Sequence, residues 1–332
     1  MLVSWNTTNE CNLTCRHCYR DAGVKKAEEL STAEGLALID EIARAGFKIM
    51  IFSGGEPLLR EDILQLVQHA KSRGLIPVFG SNGTLLTGDL ARRLKEAGAA
   101  AIGISLDSPR AGAHDDFRGM PGAWQGAVDG MMACREAGLP FQVHTTAMRW
   151  NAGEITELTD WAQNNGAKAH HVFFLVPIGR GLAIEDESLP PDRYEQLLRQ
   201  LMAKSSQVPI EIKPTCAPQF VRIARQMGVE TRFGRGCLAG LSYCIISPVG
   251  DVQACAYLDV AAGNVRRSPF SQIWRESPLL QALRTKVYGG RCGTCSFGDL
   301  CGGCRARAHY LTGDYLGGDE WCLYRQGTAS HG

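Results

Sequence analysis

Short apolar runs alternate with stretches of helical period along the first half of the chain. Residues 2–8 (LVSWNTT), 48–56 (KIMIFSGGE), 75–83 (LIPVFGSNG), 100–108 (AAIGISLDS), 140–148 (PFQVHTTAM) and 170–177 (HHVFFLVP) predict strands. Amphipathic segments lie between them. Residues 31–46 carry a helix start at Ser31, with Glu34 three positions on as the other half of a capping box, and stop at Gly46. Further helices are predicted over 61–73, 84–97, 122–137 and 154–165. Six strands joined by helical crossovers define an α/β fold with a parallel sheet, either curled as a partial barrel or left open as a doubly wound sheet. Periodicity does not choose between the two. Both gather their chemistry at the C-terminal ends of the strands.

Composition narrows the class. A chain of 332 residues with 45% hydrophobic content can bury one large core and a smaller one. Thirty-five basic against 34 acidic residues give a net charge of +1, which argues against a nucleic-acid groove or an anionic membrane surface as partner. The start MLVSWNTTNE lacks the basic and apolar parts of a secretory signal, and no window approaches 18 uninterrupted apolar residues, so a cytoplasmic protein is expected. Thirteen cysteines in such a compartment point to metal more than to disulfides.

The cysteines cluster. CNLTCRHC places Cys11, Cys15 and Cys18 within eight residues. Three thiolates leave one corner of a cubane iron-sulfur cluster without a protein ligand, whereas a zinc knuckle would borrow a distant fourth. The second strand ends in FSGGEP, where paired glycines let backbone approach a ligand closely. Together the two motifs resemble the radical SAM superfamily. The resemblance implies a partial (β/α)6 TIM-like barrel in which Cys11, Cys15 and Cys18 hold a 4Fe-4S cluster whose open iron chelates S-adenosylmethionine (SAM). It also places Gly54, Gly55 and Glu56 at the methionine amino group and His17 near the adenine. Asn82, Ser105, Asp107 and Arg149 are candidates for ribose and carboxylate contacts, although each also has a local turn or cap explanation.

The second half holds Cys237, Cys244, Cys255, Cys292, Cys295, Cys301, Cys304 and Cys322, with Gly250 before Cys255. Their order resembles the SPASM domain, a module with auxiliary 4Fe-4S clusters. By that resemblance Cys237, Cys244, Cys255 and Cys304 hold one cluster, and Cys292, Cys295, Cys301 and Cys322 the other. Two residues rather than the usual three separate Cys301 from Cys304, so one or two auxiliary clusters remain open, with two favoured; zinc ribbons are the alternative use of the Cys-x2-Cys pairs. Cys134 reads as a buried helical thiol, while Cys216, in the proline-flanked KPTCAPQF, is either structural or placed at substrate or metal. The expected organisation is a barrel over 1–185, a connecting, substrate-proximal segment over 186–235 and the SPASM-like domain over 236–332.

A narrower resemblance runs through VSWNTTNECNLTCRHC, AHHVFFLVPIGRG, PTCAPQF, RGCLAGLSYCIISPVGDVQACAYLDVAAGNV and CGGCRARAHYLTGDY. These look like the AhbD-type radical SAM haem synthases and their NirJ-like relatives. The resemblance implies an iron tetrapyrrole substrate, iron-coproporphyrin III, with two propionates converted to vinyl groups by oxidative decarboxylation. A low-potential donor such as ferredoxin or flavodoxin would reduce the SAM-binding cluster, and an auxiliary cluster could accept the substrate's electron. Arg180, Arg222, Arg225 and Arg235 are candidate propionate partners. Of His170 and His171, adjacent on a strand, only one can face the barrel lumen; each reads as a satisfied core histidine, with contact to haem iron or substrate as the alternative. Other readings are a NirJ-like side-chain enzyme, a peptide maturase, and a non-enzymatic electron carrier or zinc-stabilised protein. The ten residues before Cys11 argue against the maturase, since such enzymes commonly carry a peptide-recognition domain there.

Overall fold

The computed structural model describes residues 1–325. Its first strands fall where alternation of apolar and polar residues puts them: β1 (Leu2–Asn6), β2 (Ile49–Ser53), β3 (Ile76–Ser81), β4 (Ala101–Ser105), β5 (Phe141–Ala147) and β6 (Ala169–Phe174). A seventh, β7 (Glu211–Thr215), pairs in parallel with β6. It carries Pro214, which offers no ladder N–H and obscures the strand in the sequence; the edge position tolerates it. The order β1-β2-β3-β4-β5-β6-β7 is sequential. A doubly wound sheet would reverse direction at a switch point, so this order selects the partial barrel.

Sequential right-handed crossovers put the helices that join these strands on one face of the sheet. Helices α1 (Thr32–Arg44), α2 (Ile63–Ser72), α3 (Gly88–Ala97), α4 (Ala111–Arg118), α5 (Ala123–Ala137) and α6 (Ile155–Asn164) follow, and α7 (Pro191–Ser205) and α8 (Phe220–Met227) flank β7. Ser31 and Glu34 form the anticipated capping box. The helix read from residue 84 begins later, at Gly88, because Asn82 Oδ1 accepts from the Thr84 N–H and hydroxyl and holds a turn there; Thr87 is the cap. Val3, Trp5, Met50, Phe52, Phe79, Ile102, Ile104 and Val143 pack against these helices. Their alternates, among them Ser4, Asn6, Ser53, Gly80, Gly103, Ser105, His144, His171 and Phe173, therefore line the concave face.

The sheet continues past β1. Strand β8 (Tyr243–Ile246) pairs in parallel with β1, and β9 (Asp251–Gln253) and β10 (Ala261–Asn264) extend it as antiparallel neighbours. The cysteine-rich half is thus joined to the barrel's first edge through backbone hydrogen bonds. Among the described residues no helix is long and apolar enough to cross a membrane.

Candidate active site

Cysteine, glycine and acidic motifs all follow strand C-terminal ends, at one end of the barrel. The loop after β1 carries Cys11, Cys15 and Cys18, whose sulfurs lie close enough to repel one another as thiolates. Backbone N–H groups of Leu13 and Ala22 donate to Cys11 Sγ and Cys18 Sγ at 3.5 and 3.4 Å. Arg118 Nη1 reaches Cys15 Sγ at 3.7 Å, and the same guanidinium binds Asp107 through Nε (2.7 Å) and Nη2 (2.6 Å). Arg180 closes the loop from the other side, donating to the Cys15 carbonyl (2.9 Å) and the Ala22 carbonyl (2.7 Å). Burial pushes the Cys11 thiol up to about 11, so binding a metal there displaces a proton.

The Gly-Gly-Glu turn packs directly beneath this loop. A Cβ on Gly55 would overlap the Glu10 carbonyl, and Gly54 has φ +148°, so neither position tolerates a side chain. Glu56 is wholly buried and accepts from Leu58 N (3.2 Å), Ser81 Oγ (2.9 Å) and Asn82 N (2.8 Å). Burial pushes its carboxyl up to about 7 despite those donors. The Asn82 amide donates to Asn12 Oδ1 (2.9 Å), tying the β3 turn to the cysteine loop, and Ser105 Oγ donates to the Ser81 carbonyl at 3.4 Å. His17 stacks on Phe117 at 4.5 Å with its buried Nδ1 unpartnered; burial lowers it to about 3, which keeps the imidazole neutral. An orphaned polar atom beside Cys18, a glycine cradle and three converging thiols fit an adenosyl ligand on an open-cornered cluster.

Other sequence candidates are placed differently. Arg149 joins its Nε to the Ser188 carbonyl and its N–H to Glu187, bracing the turn of residues 179–187. Arg222 is buried in a two-pronged pair with Glu195, and Arg225 is exposed. The guanidinium groups of Arg180 and Arg222 are therefore already engaged by protein. Arg235 is half-buried near Tyr288. His170 turns to the helices, between the hydroxyls of Thr145 and Thr159 at 2.8 Å each, while His171 faces the concave side. There it stacks on His144 at 5.1 Å, an arrangement the sequence analysis missed although strict alternation in PFQVHTTAM could have shown it. Gly103 makes room, since a Cβ there would overlap the His144 ring. Lys213, also missed, lies beside them on β7.

Cysteines of the second half form two groups. Cys292, Cys295, Cys301 and Cys322 line one cavity of about 270 Å³, with Gly302 and Gly303 in its wall. Cys292 Sγ accepts from Arg305 Nη2 (3.5 Å) and Asp319 N (3.4 Å), and Cys295 Sγ from Phe297 N (3.4 Å). Cys237, Cys255 and Cys304 are mutual electrostatic neighbours. Cys216 stands with them; Cys244 does not, and the charged group that bears on it is Arg284. Cys134 is buried in α5, where desolvation pushes its thiol up to about 12. No three His, Cys, Asp or Glu side chains among the described residues converge closely enough for a single metal ion.

A single-wound barrel with a three-cysteine loop over a Gly-Gly-Glu turn, extended by a second cysteine-rich unit, defines a radical SAM enzyme of the SPASM type. Residues 5–162 match the Radical SAM superfamily, and residues 237–304 match the SPASM iron-sulfur cluster-binding domain. The chain is 41% identical over 341 residues to an AdoMet-dependent heme synthase of Methanosarcina barkeri, covering 98% of this chain and 97% of that protein. An Fe-coproporphyrin III synthase of the same organism is 31% identical, over 97% of this chain and 87% of that one. Streptococcus suis SuiB bound to S-adenosylmethionine shares the fold, with a TM-score of 0.76 at 15% identity, covering 97% of this chain and 77% of SuiB. The chain belongs to the radical SAM superfamily, in its SPASM-bearing branch related to the AdoMet-dependent haem synthases.

Proposed function

We propose that this enzyme makes haem b from iron-coproporphyrin III, removing two propionate carboxyls and leaving two vinyl groups. Near full-length similarity to an AdoMet-dependent heme synthase carries the reading. Cys11, Cys15 and Cys18 would hold the SAM-binding cluster, with Gly54, Gly55, Glu56, His17, Asn82, Ser105 and Asp107 around SAM, and the later cysteines two auxiliary clusters. When bound, SAM and its cluster supply a radical that removes hydrogen from the propionate β-carbon, and the auxiliary clusters a one-electron acceptor. Each arm loses one hydrogen atom, one carbon dioxide and one electron, which balances the new double bond.

The residues of the chain prepare this chemistry in separate ways. Arg118 and Arg180 fix the cysteine loop from two sides, so the sulfurs are positioned before metal arrives. His144 and His171 present flat imidazoles to the concave face, both kept neutral by burial, which suits the plane of a tetrapyrrole. Lys213 adds a cation on that face for a carboxylate, with Arg235 the remaining candidate. A donor of the ferredoxin or flavodoxin type would serve the first cluster, in the cytoplasm.

Anaerobic incubation with SAM, reductant and a set of iron tetrapyrroles tests the substrate by mass spectrometry. Iron-coproporphyrin III should lose two carboxyl groups. Unchanged coproporphyrin alongside turnover of didecarboxysirohaem would contradict the proposal and favour a NirJ-like enzyme.

A further inference from the structure

The cysteine order assigns Cys244 to the auxiliary cluster of Cys237, Cys255 and Cys304, yet the sheet points Cys244 the other way. Along β8, successive side chains face opposite sides. Tyr243 bonds Ser4 Oγ at 3.2 Å, on the concave side of β1, and has Cys255 as an electrostatic neighbour. Cys244 is the parallel partner of Val3, a residue of the helix-facing core, and is itself fully buried there. Near it Arg284 donates to the Gly240 carbonyl, and a Cβ on Gly240 would meet Leu283 and Leu280. A turn of the strand large enough to present Cys244 to Cys255 would move Tyr243 and Ile245 into the helix layer and break the β1–β8 register.

Another thiol occupies the right place. Cys216 directly follows β7, at the same barrel end as the other motifs, and its electrostatic neighbours are Cys255, Cys304 and Cys237. The segment is fixed on both sides: Arg307 Nη1 donates to the Cys216 carbonyl at 3.3 Å, and a Cβ on Gly236, the residue before Cys237, would meet the carbonyls of both Pro218 and Cys301 at 2.6 Å. Cys216 has φ +60°, one of three non-glycine residues with positive φ among those described. Four thiols from four separate segments thus surround one place, a complete donor set for a cubane.

We propose that Cys216, not Cys244, is the fourth thiolate of the auxiliary cluster held by Cys237, Cys255 and Cys304. The inference rests on the reading of the second half as a holder of 4Fe-4S clusters. It ties that cluster to the end of β7, two strand positions from Lys213 on the concave face, and so beside the proposed substrate.

Iron and sulfide counts, with electron paramagnetic resonance of the reduced full-length protein, test it without any turnover. Reconstituted wild type should carry about 12 irons per chain for three cubanes. Cys244→Ala should keep that iron and the wild-type spectrum. Cys216→Ala, shown folded by circular dichroism, should either lose about 4 irons or, if a solvent ligand replaces the thiolate, keep them with altered g-values of one auxiliary cluster. A Cys216→Ala protein with wild-type iron and spectrum overturns the assignment, as does cluster loss from a folded Cys244→Ala protein. A wild type holding zinc and little iron would instead defeat the cluster reading itself, whichever cysteine is involved.

Discussion

Arginines of this chain act on backbone carbonyls, thiols and carboxylates inside the protein. Arg118 and Arg180 brace the first cysteine loop, Arg305 reaches Cys292, Arg222 pairs with Glu195, and Arg307 pairs with Asp319. Nothing local in the sequence separates such an arginine from a ligand-binding one, because the distinction lies in what the rest of the fold brings to it. Histidines divide more simply by strand face. His170 is buried neutral, with its pKa lowered to about 3 by desolvation. A base depressed in the folded state contributes stability that is present above its unfolded value, about 6.5, and is lost as pH falls toward the folded value. Between pH 7 and pH 5 the wild type should therefore lose about 2 kcal/mol more than His170→Asn in urea unfolding. Equal pH slopes for the two proteins would contradict this assignment.

Elements in the second half are held together by one buried pair. Arg307 donates to both Asp319 oxygens at 2.9 and 2.8 Å, to Tyr194 in α7 and to the Cys216 carbonyl, while Asp319 accepts from Cys304 N and from Gln219. Removing one member leaves an uncompensated buried charge, at a cost of about 3–5 kcal/mol. Arg307→Ala and Asp319→Ala should each show it, and the double variant should cost clearly less than their sum. Additive losses in urea unfolding would show that the pair is not the link. None of this was legible beforehand, since the partners lie in four separate segments. The six barrel strands were legible, because alternation is local, as was the capping box of α1. Strand β7 was hidden by Pro214, and the first turn expected of α3 is replaced by the Asn82 turn. Spacing singled out Cys11, Cys15 and Cys18 as a group, which the fold keeps together, yet could not tell which face of β8 Cys244 occupies.

Across the whole molecule, the cysteine-rich half extends the partial barrel through β8 and brings thiols to the end where the first cysteine loop lies. That placement suits a reaction in which hydrogen leaves the substrate toward one group and an electron toward another. The concave face between them is smooth at Gly80 and Gly103 and polar at His144, His171 and Lys213, and two of the four arginines first expected to bind propionates, Arg180 and Arg222, are engaged by protein. Fold alone would not choose a tetrapyrrole over a peptide, as the likeness to SuiB, also solved bound to the precursor peptide SuiA, illustrates. The most direct test counts products together in an anaerobic reaction of the reconstituted enzyme with SAM, reductant and iron-coproporphyrin III. The account predicts two 5'-deoxyadenosines and two carbon dioxides for each haem b formed; steady release of 5'-deoxyadenosine with the coproporphyrin intact would contradict it.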